Sequence, residues 1–302
     1  MAPAQAGAHP QAGALTVRFW GTRGSIPAPG PATAGYGGNT PCLEAQVGGR
    51  RLIFDAGSGI RQLGIHLIEQ GAPLDAVIFL THFHWDHIQG FPFFGPMYRR
   101  EARLRVVGPM QENLDVQSLF AGQMGPIYFP IPFEAVAAGM TFEHLNEGTW
   151  ESNGISVAAM RVRHPSFTVG YRLTAGGRSF CYIPDNELVG GDYPVGRGWR
   201  EQLVRFCADA DLLVHDAMFT EEEYASSRKG WGHSTFQQAL DLAAEAGVKR
   251  LMFFHHAPER TDDALSEIVD RQREEAATRK LKLVVDAADE GTEISFEQET
   301  PT

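Results

Sequence analysis

The chain has little cysteine and no paired spacing of it. Cys42, Cys181 and Cys207 are its three thiols among 302 residues, and none forms a CxxC pair. An odd, sparse set excludes a disulfide framework and reads as reduced thiols in a cytosolic protein. Cationic side chains are outnumbered, 26 Lys and Arg against 37 Asp and Glu, for a net charge of −11. That balance disfavours a polyanion such as DNA or a long RNA unless a local basic patch overrides it. No apolar run is long enough to cross a membrane. No GxxxxGKS/T phosphate loop and no GxSxG elbow occurs, which removes the P-loop and serine-hydrolase readings of the Gly-rich segments. Internal repeats and long linkers are absent too.

What is present is a substantial core. Hydrophobic residues make up 43% of the chain, enough for a large α/β domain and too many for global disorder. The opening "MAPAQAGAHPQAGA" is rich in Ala, Pro and Gly and lacks the basic-then-apolar order of a signal peptide. Residues 1–14 are therefore expected to be a disordered tail, and 15–302 one compact domain.

Alternation and β-branched content predict a strand at "LTVRFWG" (15–21), followed by a Gly- and Pro-rich loop to about residue 40. "CLEAQV" and "RLIFDAG" flank a "GGR" turn and predict a hairpin. "SGIRQLGIHLIEQG" predicts a helix closed by Gly71, and "LDAVIFL" (74–80) a buried strand. Further strands are expected at "RLRVVG", "ISVAAMRV", "VGYRLTA", "SFCYIPD", "DLLVHDAMF", "RLMFFHH" and "LKLVVDA". Helices are expected near 111–122, 198–208, 235–246 and 262–279. Strand-rich halves that also carry helices suggest a layered sandwich with its helices outside.

The informative stretch follows 74–80 directly. "THFHWDHIQG" puts His82, His84, Asp86 and His87 into six positions. So many polar groups crowded together each need a partner, and a metal ion partners all of them at once. Imidazole and carboxylate suit zinc, and also manganese or iron. Other predicted strands end in similar groups: His164, Asp185, His215 with Asp216, and the doublet His255–His256. Together they make the inventory of a two-metal site, with Asp185 the candidate for the shared ligand. Further on, Ser234 and Gln237 fit a capping box, with Phe236, Leu240 and Ala243 as the buried stripe and Gly247 as the stop. That leaves His233 just ahead of a helix N-terminus, placed to donate to a substrate oxygen or to remain an ordinary surface histidine.

These residues resemble the metallo-β-lactamase superfamily, whose fold is a four-layer αββα sandwich. The run His82-x-His84-x-Asp86-His87 matches its signature. "FWGTRGSIPAPGPATAGYGGNTPCLEA", "LIFDAGSG", "ADLLVHDAMF" and "GHST" through "LMFFHH" are similar to the ribonuclease Z and phosphoribosyl cyclic phosphodiesterase branch. The resemblance implies a first metal on His82, His84 and His164, a second on Asp86, His87 and His255, and Asp185 bridging them. The family spacing favours His255, although the doublet keeps His256 open. It also implies that His233 contacts the scissile phosphate and that Asp216 orients His233. Asp216 and Met218 stand where ribonuclease Z usually has Glu and Thr, which shortens the reach of the orienting carboxylate.

Ribonuclease Z also inserts a long tRNA-gripping arm between the positions of His164 and Asp185. Here roughly twenty residues separate them, enough only for a strand hairpin. Together with the acidic charge, this makes tRNA an unfavoured partner and a small phosphodiester, a cyclic nucleotide or cyclic sugar phosphate, the expected substrate. Arg23 in the Gly-rich loop is a candidate phosphate contact or a structural ion pair. Tyr128, Phe129 and Phe133 in "GQMGPIYFPIPFEAV" (122–136) offer base stacking, a lid, core packing or a homodimer contact. The alternative functions are hydrolysis of a lactone, β-lactam or thioester, tRNA 3′-end processing, and a non-enzymatic binding module on the same fold.

Overall fold

The structure is a computed structural model that describes residues 14–71, 73–137 and 139–297. The expected tail falls almost wholly outside these residues. The first half of the chain supplies strands β1 (Leu15–Gly21), β2 (Cys42–Val47), β3 (Arg50–Phe54), β4 (Asp75–Phe79), β5 (Arg103–Gly108) and β6 (Met140–His144). The second supplies β7 (Gly148–Ser152), β8 (Ile155–Arg161), β9 (Val169–Ala175), β10 (Arg178–Ile183), β11 (Leu212–Asp216), β12 (Arg250–Phe254) and β13 (Val284–Ala287). A last strand, β14 (Glu293–Phe296), crosses back to pair with β1.

Two sheets result, in the orders β14-β1-β2-β3-β4-β5-β6 and β13-β12-β11-β10-β9-β8-β7. Each is antiparallel through its hairpins and parallel where helices intervene: β3, β4, β5 and β6 run parallel in one, β10, β11, β12 and β13 in the other. Parallel strands need a covered crossover, so helices pack on the outer faces. The period-2 rule then divides the core into three apolar layers. Val17, Phe54, Phe180, Tyr182, Val214 and Phe254 lie between the sheets. Their alternates Cys181, Leu213 and Phe253 pack under helices Trp199–Cys207, Phe236–Glu245 and Asp262–Thr278. Ile53 and Ile78 pack under helix Gly59–Gln70. The arrangement is the αββα sandwich expected.

All the strands and helices expected from the sequence are present, with shifted ends. The helix expected at 111–122 begins only at Val116, where Asp115 caps it by accepting from Ser118 N–H. The capping box is one residue later than read: Thr235 and Gln238 form it. Ser234 is diverted, its hydroxyl donating to the Asn186 carbonyl at 2.5 Å and accepting from Leu188 N–H at 3.1 Å. Strands β6, β7 and β14 were not anticipated; all three are edge strands with largely exposed side chains. Among the described residues, no helix is long and apolar enough to cross a membrane.

Candidate metal centre

The site lies at the C-terminal ends of the parallel strands β4, β10 and β12 and of the antiparallel β8, where loops can gather without breaking either ladder. The turn after β4 delivers His82, and the four-residue helix Trp85–Ile88 presents Asp86 and His87 inward. The other sheet contributes His164 past β8, Asp185 past β10 and His255 past β12. Three overlapping groups converge, each with all its ligand atoms within 4.8 Å of one another: the two main ones are His82, His84, His164 and Asp185, and Asp86, His87 and His255, and the third is Asp185, His233 and His255. Every one of these residues is buried except His84, which is exposed.

Asp185 stands between the two main groups. Its Oδ2 lies 3.6 Å from His82 Nε2 and 3.5 Å from His164 Nε2. Its Oδ1 lies 3.1 Å from His87 Nε2 and 3.3 Å from His255 Nε2. One oxygen thus faces each group. On the first side His84 Nδ1 meets His164 Nε2 at 3.0 Å; on the second His255 Nε2 meets Asp86 Oδ2 at 3.0 Å. His82 Nε2, His87 Nε2 and Asp185 Oδ1 are buried without a satisfactory hydrogen-bond partner. Buried polar atoms are rarely left so, and a cation among them would satisfy all three. The residues present therefore fit a pair of divalent ions.

Electrostatics agrees with that donor set at His82, His164 and the two carboxylates; burial would lower His87 as well, but Asp185, Asp86 and Asp55 outweigh it and raise it well above the usual histidine value. Burial, reinforced by the neighbouring imidazoles, holds His82 well below the usual histidine value, and burial brings His164 to about 3, so both keep a free lone pair. Burial pushes Asp86 and Asp185 upward, but the surrounding imidazoles outweigh it and hold both carboxylates well below their usual range.

The second ring nitrogens of His164, His87 and His82 are tied down, whereas His255 Nδ1 is buried without a hydrogen-bond partner. His164 Nδ1 donates to the Gly232 carbonyl at 3.0 Å. His87 Nδ1 donates to Asp55 Oδ2 at 2.8 Å, and His82 Nδ1 to Thr81 Oγ1 at 3.0 Å. The Thr81 hydroxyl in turn donates to Asp55 at 3.0 Å. Asp55 also accepts from Thr81 N–H at 2.8 Å and Tyr182 Oη at 2.9 Å. Asp55 thus fixes the tautomer of one imidazole in each group, directly or through Thr81. Sequence reasoning missed it: within "IFDAG" it read as the end of a hairpin strand. Its φ of 61° is the one local sign of special use, and φ is invisible in the sequence. Asp55→Asn tolerates that backbone but turns an NH2 toward buried donors. We expect a loss of about 3 kcal/mol in denaturant unfolding of the metal-free chain. Metal binding should weaken about tenfold or more; unchanged values for both would show that Asp55 is dispensable.

Of the doublet, His255 faces the cluster, whereas His256 Nε2 donates to the Ala288 carbonyl at 2.8 Å. His255 has φ 60°, which turns its side chain inward past the end of β12. Gly24 packs against its ring so closely that a Cβ there would collide with it, a local reason for glycine in the preceding loop. The same loop donates Ser25 N–H to Asp86 Oδ2 at 2.8 Å.

His233 lies over the cluster, its ring stacked on His255 with centroids 4.9 Å apart and 5.4 Å from that of His164. Nδ1 donates to Asp216 Oδ2 at 2.9 Å. Burial would lower its pKa, but the Asp216 carboxylate outweighs it and raises His233 to about 9. Asp216 is itself held by Met218 N–H and Asn186 N–H, both at 3.1 Å. The short Asp side chain therefore reaches.

Arg23 corrects its expectation as a phosphate contact. It is fully buried, and its guanidinium donates to the carbonyls of Gly37 (2.7 Å), Ala257 (3.2 Å) and Arg260 (2.7 Å) and pairs with Asp262 at 3.4 Å. It staples the Gly-rich loop to the segment after β12. His215, on the β11 strand end, is buried with Nδ1 donating to its neighbour's carbonyl at 2.7 Å. In the 122–136 segment Phe133 belongs to the core and Phe129 packs on Phe93 at its edge, while Tyr128 is 78% exposed.

The beta-lactamase superfamily domain matches residues 50–256, and the chain belongs to that metallo-β-lactamase superfamily. Within it the chain is a metal-dependent hydrolase, and its likenesses are to ribonuclease Z and PhnP-family proteins. Ribonuclease Z of Archaeoglobus fulgidus is 26% identical, over 82% of this chain and 89% of its own. Among solved structures, YhfI of Bacillus subtilis, a metallo-β-lactamase fold protein, superposes with TM-score 0.67 at 18% identity, covering 94% of this chain and all of that one. A diphosphatase of the PhnP family superposes with TM-score 0.65 at 18% identity, covering 94% and 98%.

Proposed function

We propose that the protein is a dinuclear phosphodiesterase acting on a small phosphodiester, a cyclic nucleotide or cyclic sugar phosphate. The observation that carries the reading is the His233–Asp216 pair set over a cluster whose bridging carboxylate divides its oxygens between two ligand groups. His82, His84 and His164 would hold one ion, Asp86, His87 and His255 the other, and Asp185 both. Zinc is the expected metal, with manganese and iron compatible with the same donors. Two bound cations supply Lewis acidity and a water deprotonated near neutral pH. His233 then faces the position of the scissile phosphate, with its Nε2 free to donate to a phosphoryl or leaving oxygen. Asp216 holds the other ring nitrogen and so the orientation.

Small size of substrate is supported by the hairpin between His164 and Asp185. β9 and β10 pair from Tyr171–Tyr182 to Ala175–Arg178 and turn at Gly176–Gly177, which leaves no arm there to grip a tRNA. Curated relatives carry the name ribonuclease Z, so tRNA processing is the second reading and is tested alongside.

The test is elemental analysis followed by a substrate panel. Protein purified without chelator should hold nearly two ions per chain. Loaded protein should hydrolyse bis(p-nitrophenyl) phosphate and at least one cyclic nucleotide or cyclic ribose phosphate, and leave lactones intact. Precursor tRNA should be trimmed poorly. A stoichiometry near zero, with no activity recovered on adding metal, overturns the enzyme reading. Efficient lactone cleavage without phosphodiester turnover, or accurate tRNA end-trimming, overturns the substrate reading.

A further inference from the structure

Glu187 lies two residues past Asp185 and is completely buried. Its Oε1 accepts from Tyr224 Oη at 2.5 Å and Gly230 N–H at 2.8 Å. Its Oε2 accepts from Tyr193 Oη at 2.6 Å and Gly232 N–H at 2.9 Å. Each oxygen therefore faces two donors, the Tyr224 hydroxyl being shared with the Val189 carbonyl. None of the four donors is a cation. A buried carboxylate held only by neutral donors is costly unless all are well placed, and here they join three separate segments.

The segment that matters is Gly230–Gly232, pinned at both ends by this one side chain. Gly232 has φ 91°, and a Cβ on it would collide with the His164 ring. Its carbonyl accepts from His164 Nδ1 at 3.0 Å, and the next residue is His233. Glu187 is tied to the same histidine from the other side, since its N–H donates to the Arg163 carbonyl at 2.8 Å. The Arg163 guanidinium closes the loop by donating to the carbonyls of Gly190 and of Gly191, the latter at 2.8 Å. Moving the Glu187 carboxylate would thus shift a metal-facing imidazole and the entry of His233 together.

We infer that Glu187 is a positioning residue for the centre: by clamping the 230–232 turn it sets the orientation of His164 and the approach of His233. The inference rests on the reading of His164 as a ligand and His233 as the phosphate-facing group. Its effect should fall first on the first group, because the clamp reaches His164 through the Gly232 carbonyl and reaches the second group only through the His233 ring stacked on His255.

The experiment is Glu187→Gln in the full chain. Glutamine keeps the shape but has one acceptor oxygen, so two of the four donors lose their partner. Metal is titrated against a chelator, with His164→Ala identifying the step that belongs to the first group. Affinity at that step should fall about tenfold or more while the other step changes less than about twofold. On bis(p-nitrophenyl) phosphate at saturating metal, kcat should fall about tenfold with KM within about twofold. Equal weakening of both steps with a lowered melting temperature would mean a merely structural role and overturn the inference; so would unchanged affinities and turnover. If Glu187→Gln does not fold, Tyr193→Phe and Tyr224→Phe each remove one donor and should produce a smaller loss confined to the same step. Unchanged affinity in both would also overturn it. Should the wild type bind two ions and hydrolyse no phosphodiester, the proposed substrate fails, and the titration still decides the role of Glu187.

Discussion

Asp185→Asn should leave the chain with one ion or fewer and reduce phosphodiester turnover by about a thousandfold, which is about 4 kcal/mol of transition-state stabilisation. The reason is the division of its oxygens. Oδ2 faces His82 and His164 at 3.6 and 3.5 Å, and Oδ1 faces His87 and His255 at 3.1 and 3.3 Å. The donor set holds five imidazoles and two carboxylates, so two divalent cations are balanced by only two negative charges. Asparagine keeps the shape, removes one of those charges and turns an NH2 toward one of the groups. Close cations then repel with less screening between them. The fold should persist, since the Asp185 side chain faces only the imidazoles. Elemental analysis, turnover and thermal melting in chelator check the three parts. If the variant retains both ions and normal turnover, Asp185 is not the bridge.

The donors were legible because the chemistry is concentrated in sequence. His82, His84, Asp86 and His87 stand together after a recognisable buried strand, and His164, Asp185 and His255 each follow another. A residue just past a parallel strand, as Asp185 and His255 are, points to the loop end of the sheet wherever that strand sits, whereas His164 follows the antiparallel β8 and needed the strand order to be placed. The strands that escaped notice are the edges β6, β7 and β14. An edge strand needs little apolar alternation, because one side of its ladder and much of its surface meet water. β14 also pairs with β1, nearly the whole chain away, and no local pattern announces that partner.

Supporting residues were harder to read than donors. Asp55 gains its role only where Thr81 and His87 of one further segment and Tyr182 of another converge on it. Arg23 sits in a loop beside the centre, and its composition suited a phosphate contact. Its guanidinium instead turns to carbonyls 234 and 237 residues away. The direction of a side chain in a Gly-rich loop is set by tertiary partners, not by loop composition. Ser234 and Thr235 make the same point at smaller scale. Either can cap the helix that follows, and the choice falls to Thr235 because the Ser234 hydroxyl is used to bind the Asn186–Leu188 segment next to Asp185.

His233→Ala should keep both ions and still lower kcat on cyclic nucleotides by roughly 10²-fold or more. The geometry separates the two effects. His233 Nδ1 is committed to Asp216 at 2.9 Å, and the ring stacks on His255 instead of completing either main ligand group. A ring nitrogen of His233 nevertheless lies within 4.8 Å of ligand atoms of Asp185 and His255, a set that could itself hold an ion, so metal retention in the variant is informative. Loss of one ion would make His233 a ligand and overturn the assignment. With both ions kept, the substrate decides the role. A cyclic nucleotide expels a poor alkoxide leaving group, whereas a nitrophenyl diester expels a stable phenolate. If His233 donates a proton to the leaving oxygen, the defect should be large on the first and small on the second. Equal defects would assign it to charge stabilisation on the phosphoryl oxygens. Asp216→Asn should act in the same direction but more weakly, because Asp216 reaches the substrate only through the imidazole it orients. Full turnover of every phosphodiester by His233→Ala would leave the residue without a part in the reaction.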